Sequence, residues 1–173
     1  MQCCFIGHRV VEKKEELLPS LRESVLTLIH IGVTTFLFGG RGEFDALSWK
    51  MVTELQKEYP FIKRVYVRSA YQYIDKAYEE YLLESYEETY FPSKLERAGK
   101  YSYVERNYEM IENSTYCVFY YNENYVVPLR QDGKNNLHLQ ARRNSGARIA
   151  YQYAVKRKKT IINLYKQSKD ATL

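Results

Sequence analysis

The chain has 173 residues, of which 45% are apolar and 27% are charged, and its formal net charge is +5. This composition is typical of one globular domain, and it excludes a disordered tail protein and a collagen. No apolar run approaches about 18 residues, so we expect no transmembrane helix and no membrane partner.

The first apolar segment covers residues 3–6. It follows no basic residues and precedes no small-residue cleavage site, so we interpret it as a strand and not as a signal peptide. The adjacent Cys3 and Cys4 are then expected on opposite faces of that strand. Three cysteines, an odd number, indicate reduced thiols and a cytoplasmic protein.

Short apolar runs alternate with longer amphipathic runs along the chain. Strands are predicted at residues 3–6, 34–38, 62–67, 116–120 and 160–164. Helices are predicted at residues 12–30, 44–59, 102–113 and 146–157. The alternation indicates an α/β fold: a Rossmann-like, doubly wound and mostly parallel sheet of about five strands with helices on both faces.

Two segments interrupt this alternation within a single predicted domain, residues 1–173. Residues 69–101 form an acidic insertion, in which we predict a helix over residues 73–86. Residues 122–144 form a polar loop. Because loops of this length are often functional, we interpret the polar loop as a candidate mobile lid.

Charge is distributed unevenly along the chain. Residues 75–96 contain seven acids against two lysines, whereas residues 130–169 contain eleven Lys and Arg against one Asp. The basic half would suit an anionic partner such as nucleic acid, but no nucleic-acid motif accompanies it, so a solvated helix end is the more ordinary interpretation. The 18 tyrosines indicate packing by amphipathic rings, and a few of them would suit stacking on a flat base.

Ligands of open α/β sheets bind beyond the carboxyl ends of the strands. Four segments of this chain are predicted at that edge: Gly7-His8-Arg9, Gly39 to Asp45, Tyr121-Asn122 and Asn144-Ser145-Gly146. We therefore expect them to converge on one pocket.

Two of these segments have backbones suited to an anion. Gly39, Gly40 and Gly42 form a strand–turn–helix junction whose amides favour phosphate. The junction lacks the G-x-G-x-x-G and P-loop spacings, so a tight turn without a ligand is an equal alternative. Ser145 and Gly146 open a predicted helix, where the alternative is an ordinary N-cap.

Single side chains at this edge also have two interpretations. His8 and Arg9 would bind phosphate or take part in acid–base chemistry, although a lone histidine is more often structural. Arg106 would clamp an anion or form a surface ion pair with Glu105. Asp45 would bind a ribose hydroxyl or cap its helix. Zinc spacing and a Gly-x-Ser-x-Gly elbow are both missing, so we predict no metal and no cofactor.

Four motifs, taken in order, resemble the SLOG superfamily, which is named for the Smf/DprA and LOG families. They are Phe5-Ile6-Gly7-His8-Arg9, the segment from Phe36 to Asp45, Arg106-Asn107-x-x-Met110-Ile111-x-x-Ser114 and Ser145-Gly146-Ala147-Arg148. The chain is most similar to small stand-alone SLOG proteins of bacteria and phages, over nearly its whole length. The resemblance implies a Rossmann-like fold that binds nucleotides or nucleotide-derived ligands.

Some SLOG proteins are cytokinin-activating phosphoribohydrolases, and Arg106 and Met110 match positions near their active site. Their motif Pro-Gly-Gly-x-Gly-Thr-x-x-Glu corresponds to the segment that begins at Ser145, which places Ala147 at the threonine and Ala150 at the glutamate. Alanine cannot stabilise the oxocarbenium-like transition state of N-glycosidic cleavage. We therefore expect no phosphoribohydrolase activity unless a neighbouring carboxylate takes over that role.

Three functional hypotheses follow. The first, which the resemblance to nucleotide-signal sensors favours, is a sensor or sequestering protein for a nucleotide-type small molecule of the ADP-ribose or cyclic-nucleotide type. Its candidate ligand-binding residues are Gly7, His8, Arg9, Gly39, Gly40, Arg41, Gly42, Asp45, Arg106, Asn107, Tyr121, Asn122, Ser145, Gly146 and Arg148. The second is an N-glycosidase or deoxyribosyltransferase with Asp45, Glu43 or His8 as catalytic candidates. The third is single-stranded DNA binding by the basic half.

A homo-oligomer is also expected, because related SLOG proteins pair through helices. A tyrosine-rich face would supply the contact, and it comprises Tyr73, Tyr78, Tyr81 and Tyr86. The alternative is that these rings cover the core of their own domain.

Overall fold

The computed structural model describes residues 1–95, 99–125 and 145–166. Within these ranges, six strands alternate with five helices. The strands are β1 (Gln2–Gly7), β2 (Thr35–Phe38), β3 (Lys63–Val67), β4 (Glu88–Tyr90), β5 (Tyr116–Tyr120) and β6 (Thr160–Asn163). The helices are α1 (Lys14–His30), α2 (Glu43–Gln56), α3 (Lys76–Leu83), α4 (Lys100–Asn113) and α5 (Gly146–Lys156).

The strands form one sheet in the order β4-β3-β2-β1-β5-β6, and every neighbouring pair is parallel. All carboxyl ends therefore lie at the same edge. The order of strand addition reverses between β1 and β5, which makes their carboxyl ends the topological switch point. The predicted α/β, Rossmann-like fold is confirmed.

Two apolar clusters cover the two faces of the sheet. The first joins α1 and α2 to β1 and β2, and it contains Cys3. The second joins α4 and α5 to the opposite face, and it contains Cys4 and Cys117. Strand alternation thus separates Cys3 from Cys4 as predicted, and all three thiols are free and buried. In the described ranges, no helix is both long and apolar enough to cross a bilayer.

The edge strand β4 is not predicted by the sequence pattern. It has three residues and begins with a glutamate, so it carries no apolar run. Pairing with β3 holds it in place, together with a hydrogen bond from Thr89 Oγ1 to the Tyr66 carbonyl at 3.0 Å and the Arg64–Glu87 ion pair at 2.6 Å. The prediction of about five strands omits this strand because tertiary contacts, and not local sequence, determine it.

The helix of the acidic insertion is shorter than predicted. It starts at Lys76, because the Asp75 carboxylate accepts the Tyr78 amide at 2.8 Å and caps the first turn. The remainder of the insertion supplies β4 and its connections. Residues 126–144 of the polar loop lie outside the described residues, so its interpretation as a lid stays a prediction.

Ala150 offers a test of the packing on α5. It is 1% exposed and lies in the second cluster. We expect Ala150→Glu to lower the free energy of unfolding by several kcal/mol, on the order of 3, because it buries an unpaired charge. Urea denaturation measures this change. Gln152→Glu, on the exposed side of the same helix, should change stability by less than about 0.5 kcal/mol; equal stability of both variants would contradict this packing.

Candidate functional site

The turn after β2 is held by two buried charged groups. The N–H groups of Gly39 and Gly40 donate to Asp45 Oδ1 and Oδ2 at 2.9 and 3.0 Å. The Gly39 carbonyl accepts a hydrogen bond from Arg106 Nη1, which also lies 3.3 Å from the Val67 carbonyl. Asp45 and Arg106 together therefore fix the turn between β2 and α2.

The Arg106 side chain binds the backbone of this turn. Its side chain is 3% exposed, which excludes the solvent-exposed ion pair with Glu105. Arg106 Nε donates to Asn107 Oδ1 at 3.1 Å, so Asn107 orients the guanidinium. A Cβ at position 39 would lie 2.5 Å from Arg106 Cζ. Gly39 is thus required by the close approach of the guanidinium.

Asp45 has a role that neither sequence interpretation describes. It is 6% exposed, and burial raises its pKa to about 6 against the opposing effects of the Gly39 amide, the Arg106 charge and the Gly40 amide. It lies within the first turn of α2 and binds the amides of the preceding turn. Those two amides are already hydrogen-bonded within the chain, which corrects the expectation that they would face a phosphate.

Glu43 joins α2 to the segment that follows β1. Its Oε2 accepts the Val11 amide at 2.7 Å, its Oε1 pairs with Lys14 Nζ at 2.5 Å, and its own amide donates to the Arg9 carbonyl at 2.9 Å. The hydrogen bonds from Lys14 and Val11 lower the pKa of Glu43. Both carboxylates of the Gly-rich junction, Asp45 and Glu43, thus bind groups of the chain itself.

Among the described residues, no three His, Cys, Asp or Glu side chains are placed to hold a metal ion.

His8 occupies the switch point between β1 and β5. It is 2% exposed, its Nε2 accepts the Asn122 amide at 2.8 Å, and its ring stacks on Tyr125 with a centroid distance of 3.8 Å. Burial lowers the pKa of His8 against an opposing effect of the Asn122 backbone. A neutral, buried imidazole of this kind fits the structural interpretation.

The neighbouring Gly7 lies against Phe44, whose ring leaves no room for a Cβ.

The remaining predicted residues lie around the same edge. Arg9 and Arg148 are exposed, and Gly42 precedes α2 with a φ of 88°. The Tyr121 ring stacks on Tyr151 at a centroid distance of 4.5 Å. Ser145 Oγ accepts the Arg148 amide at 3.1 Å, which confirms the N-cap of α5 that precedes Gly146.

A pocket of about 140 Å³ opens at the carboxyl ends of β2 and β3. We call it the cationic pocket, and its walls are formed by Gly39, Gly40, Arg41, Tyr66, Arg68, Ser69, Ala70, Tyr71, Tyr78 and Tyr103. Of the predicted binding residues, Gly39, Gly40 and Arg41 line this pocket and the others do not. Among the described residues, this pocket lies on the β2–β3 side of the switch point, and the convergence of all four predicted segments on one pocket stays a prediction.

Two arginines give this pocket its positive charge. The Arg41 guanidinium lies over the Tyr103 ring at 3.8 Å. Arg68 Nη1 donates to the Tyr71 carbonyl at 2.8 Å, while Arg68 Nε is buried without a hydrogen-bond partner among the described residues. Because a guanidinium carries five N–H donors, both groups keep donors for an anion.

Sequence reasoning missed Arg68 and the tyrosines of the cationic pocket. A signal for Arg68 was present, because it directly follows the strand predicted at residues 62–67 and thus belongs to the carboxyl edge. Tyr66, Tyr78 and Tyr103 come from three separate elements. Nothing in their local sequence distinguishes them from the other tyrosines of the chain.

No family model matches the chain, and no curated protein matches it at a significant level. Similar solved structures include the following two. One is DNA processing protein A from Helicobacter pylori, described for its single-stranded DNA binding mode, with a TM-score of 0.59, 15% identity and coverage of 98% of this chain and 67% of that chain. The other is TM1055, a structural genomics target, with a TM-score of 0.53, 14% identity and coverage of 92% and 71%. Both share the Rossmann-like fold of this chain.

The raised pKa of Asp45 predicts a specific pH dependence of stability. Its pKa is about 6 in the folded chain and about 3.9 when unfolded, so the folded state binds more protons between pH 4 and 6. The contribution of Asp45 to the free energy of unfolding should therefore fall as pH rises through this window, by at most about 1.4 kcal/mol per pH unit. Asp45→Asn should lack this fall when urea denaturation is repeated across the window.

Glu43→Gln is the control of opposite sign. Because the pKa of Glu43 is lowered in the folded chain, its contribution is present above its unfolded pKa and is lost as pH falls through the folded value. The difference in stability between wild type and Glu43→Gln should thus shrink on acidification. A difference between wild type and Asp45→Asn that is constant from pH 4 to 6 would contradict the raised pKa of Asp45.

Proposed function

We propose that the chain binds a nucleotide or nucleotide-derived ligand in the cationic pocket, as a sensor or sequestering protein. The observation that carries this proposal is the combination of Arg41 and Arg68 with tyrosine rings at the carboxyl edge of a parallel sheet. This edge is where open α/β sheets bind ligands. Guanidinium groups recognise phosphate through charge-assisted hydrogen bonds, and tyrosine rings stack on bases.

The resemblance to the SLOG superfamily supports the same ligand class. Its Gly-rich motif contains Gly39, Gly40 and Arg41, which line the cationic pocket. Its Arg-x-x-x-Met motif supplies Arg106, which fixes the backbone of that turn. The motif residues therefore serve the pocket in two ways, since some form its wall and one positions it.

The carboxylates favour binding over N-glycosidic cleavage. Asp45 accepts backbone amides, and Glu43 is bound by Val11 and Lys14. Ala150, at the position of the glutamate in related phosphoribohydrolases, is buried in the apolar core. Each candidate position for a catalytic carboxylate is thus either occupied by structural contacts or apolar.

Calorimetry with AMP, ADP-ribose, NAD and cyclic ADP-ribose isomers tests the proposal directly. Binding of at least one of these ligands is expected. The absence of heat and of thermal stabilisation with all of them would overturn it.

Arg41 is the residue whose removal tests the pocket most cleanly, because it is exposed and its loss leaves the core intact. We expect Arg41→Gln to weaken binding of the nucleotide found by calorimetry by roughly 10- to 150-fold, the worth of a hydrogen bond to a charged group. Lys50→Gln, a change at an exposed position of α2 that lines neither pocket, should leave affinity unchanged. Equal affinities of wild type and Arg41→Gln would place the phosphate elsewhere.

Single-stranded DNA is the second candidate ligand. The observation that favours it is the exposure of Tyr71 and Tyr73, which follow β3 and provide rings for stacking on successive bases. The fold similarity to DNA processing protein A is consistent with it. The acidic residues Glu79 and Glu80 on α3 oppose it, because they repel a long phosphate backbone.

Fluorescence anisotropy with oligothymidylates of increasing length separates the two ligand classes. A DNA-binding chain should bind longer strands more tightly and lose affinity with rising salt. In a chain specific for a small nucleotide, oligonucleotide affinity should not depend on strand length. AMP and the oligonucleotide should also not compete for a common site. Weaker oligonucleotide binding in Tyr73→Ala, with Phe61→Ala as an exposed control before the amino end of β3, would support DNA binding.

Self-association through the tyrosine-rich face stays a prediction. Tyr73 and Tyr81 are 87% and 64% exposed, as a contact surface requires. Tyr86 instead packs against Trp49 and Tyr66 within the domain. Core packing thus describes Tyr86, while Tyr73 and Tyr81 stay candidates for the contact, and sedimentation velocity measures the oligomeric state.

A further inference from the structure

A second pocket adjoins the cationic pocket. We call it the aromatic pocket; its volume is about 370 Å³, and its walls include Asp45, Trp49, Tyr66, Tyr81, Leu82 and Tyr86. Gly40 and Tyr66 border both pockets. The two pockets therefore share a wall, and their volumes together fall within the range of about 300–1,000 Å³ that is typical of small-molecule sites.

The rings of the aromatic pocket are held in place by the fold. The Tyr86 ring stacks on Tyr66 at a centroid distance of 5.2 Å and lies 6.2 Å from the Trp49 ring. The Trp49 indole N–H donates to the Ser85 carbonyl at 3.1 Å. Because these side chains are already ordered, a ligand that stacks on them loses little affinity to their immobilisation.

The charged residues that line the two pockets differ in sign. The cationic pocket has Arg41 and Arg68 in its wall, whereas Asp45 is the charged residue among those that line the aromatic pocket. The arginines of the first pocket therefore supply hydrogen-bond donors for a phosphate, whereas Asp45 of the second pocket already accepts the Gly39 and Gly40 amides. A flat, apolar-faced group suits the second pocket, where it meets aromatic rings.

Building on the proposed function, we infer that the aromatic pocket binds the base of the nucleotide whose phosphate is held by Arg41 and Arg68. The ligand class is a nucleoside phosphate that enters with its base toward Trp49 and Tyr81. The shared wall at Tyr66 then lies between the base and the phosphate.

Trp49 makes this inference directly measurable, because it is the single tryptophan of the chain. AMP should change its fluorescence on binding. Ribose 5-phosphate, which carries the phosphate without a base, should bind by calorimetry without changing that fluorescence. AMP should also bind roughly five- to 150-fold more tightly than ribose 5-phosphate, the worth of stacking one base on aromatic side chains.

Variants of Tyr81 separate stacking from folding. Tyr81 is 64% exposed, so its replacement leaves the core intact. Tyr81→Ala should weaken AMP binding by about fivefold or more and leave ribose 5-phosphate binding unchanged, while Tyr81→Phe should retain AMP affinity. Phe61→Ala, which removes an exposed ring that lines neither pocket, should change neither affinity.

The outcomes distinguish the inference from the function on which it rests. Equal affinities for AMP and ribose 5-phosphate would contradict the base position but not the phosphate site. Tight AMP binding with no change in Trp49 fluorescence and no effect of Tyr81→Ala would do the same. Failure of both ligands to bind would overturn the proposed function, and the inference with it.

Discussion

The peptide group between Gly39 and Gly40 lies between a buried carboxylate and a buried guanidinium. Its N–H donates to Asp45, and its C=O accepts from Arg106. Burying either charge alone would cost several kcal/mol, so each needs fixed polar partners, and this peptide dipole supplies one to both. Because Asp45 belongs to α2 and Arg106 to α4, the contact joins helices from the two faces of the sheet across the end of β2. It thereby sets the position of Arg41, the next residue along the chain.

Much of the fold follows from the sequence because hydrophobic period and parallel topology are local signals. Five of the six described strands and the positions of four helices are predicted to within a few residues, and the shared carboxyl edge follows from the topology. The strand β4 and the buried state of Arg106 do not follow, since both depend on contacts between residues far apart in sequence. The same limit applies to Arg68, Tyr66, Tyr78 and Tyr103, which come together only in the folded chain. The sequence predicts the Gly-rich turn as a candidate site, but the Gly39 and Gly40 amides bind a carboxylate of the chain itself.

The site combines two kinds of recognition within one small volume. In the proposed site, arginines of the cationic pocket would bind an anion, and aromatic rings of the adjoining pocket would offer flat apolar surfaces. The acidic surface of α3 next to these pockets works against a long polyanion and in favour of a small ligand that enters them. At 14–15% identity, the similar structures establish the architecture, and the side chains of this chain determine what it binds.

We infer that the chain fixes its own Gly-rich turn and leaves anion recognition to arginines. A crystal structure of the chain grown with AMP would test this inference. We expect phosphate density within hydrogen-bond distance of Arg41 and Arg68, with the Gly39 and Gly40 amides still bound to Asp45. A phosphate bound by those two amides with Asp45 displaced, or one seated at Ser145 before α5, would contradict it.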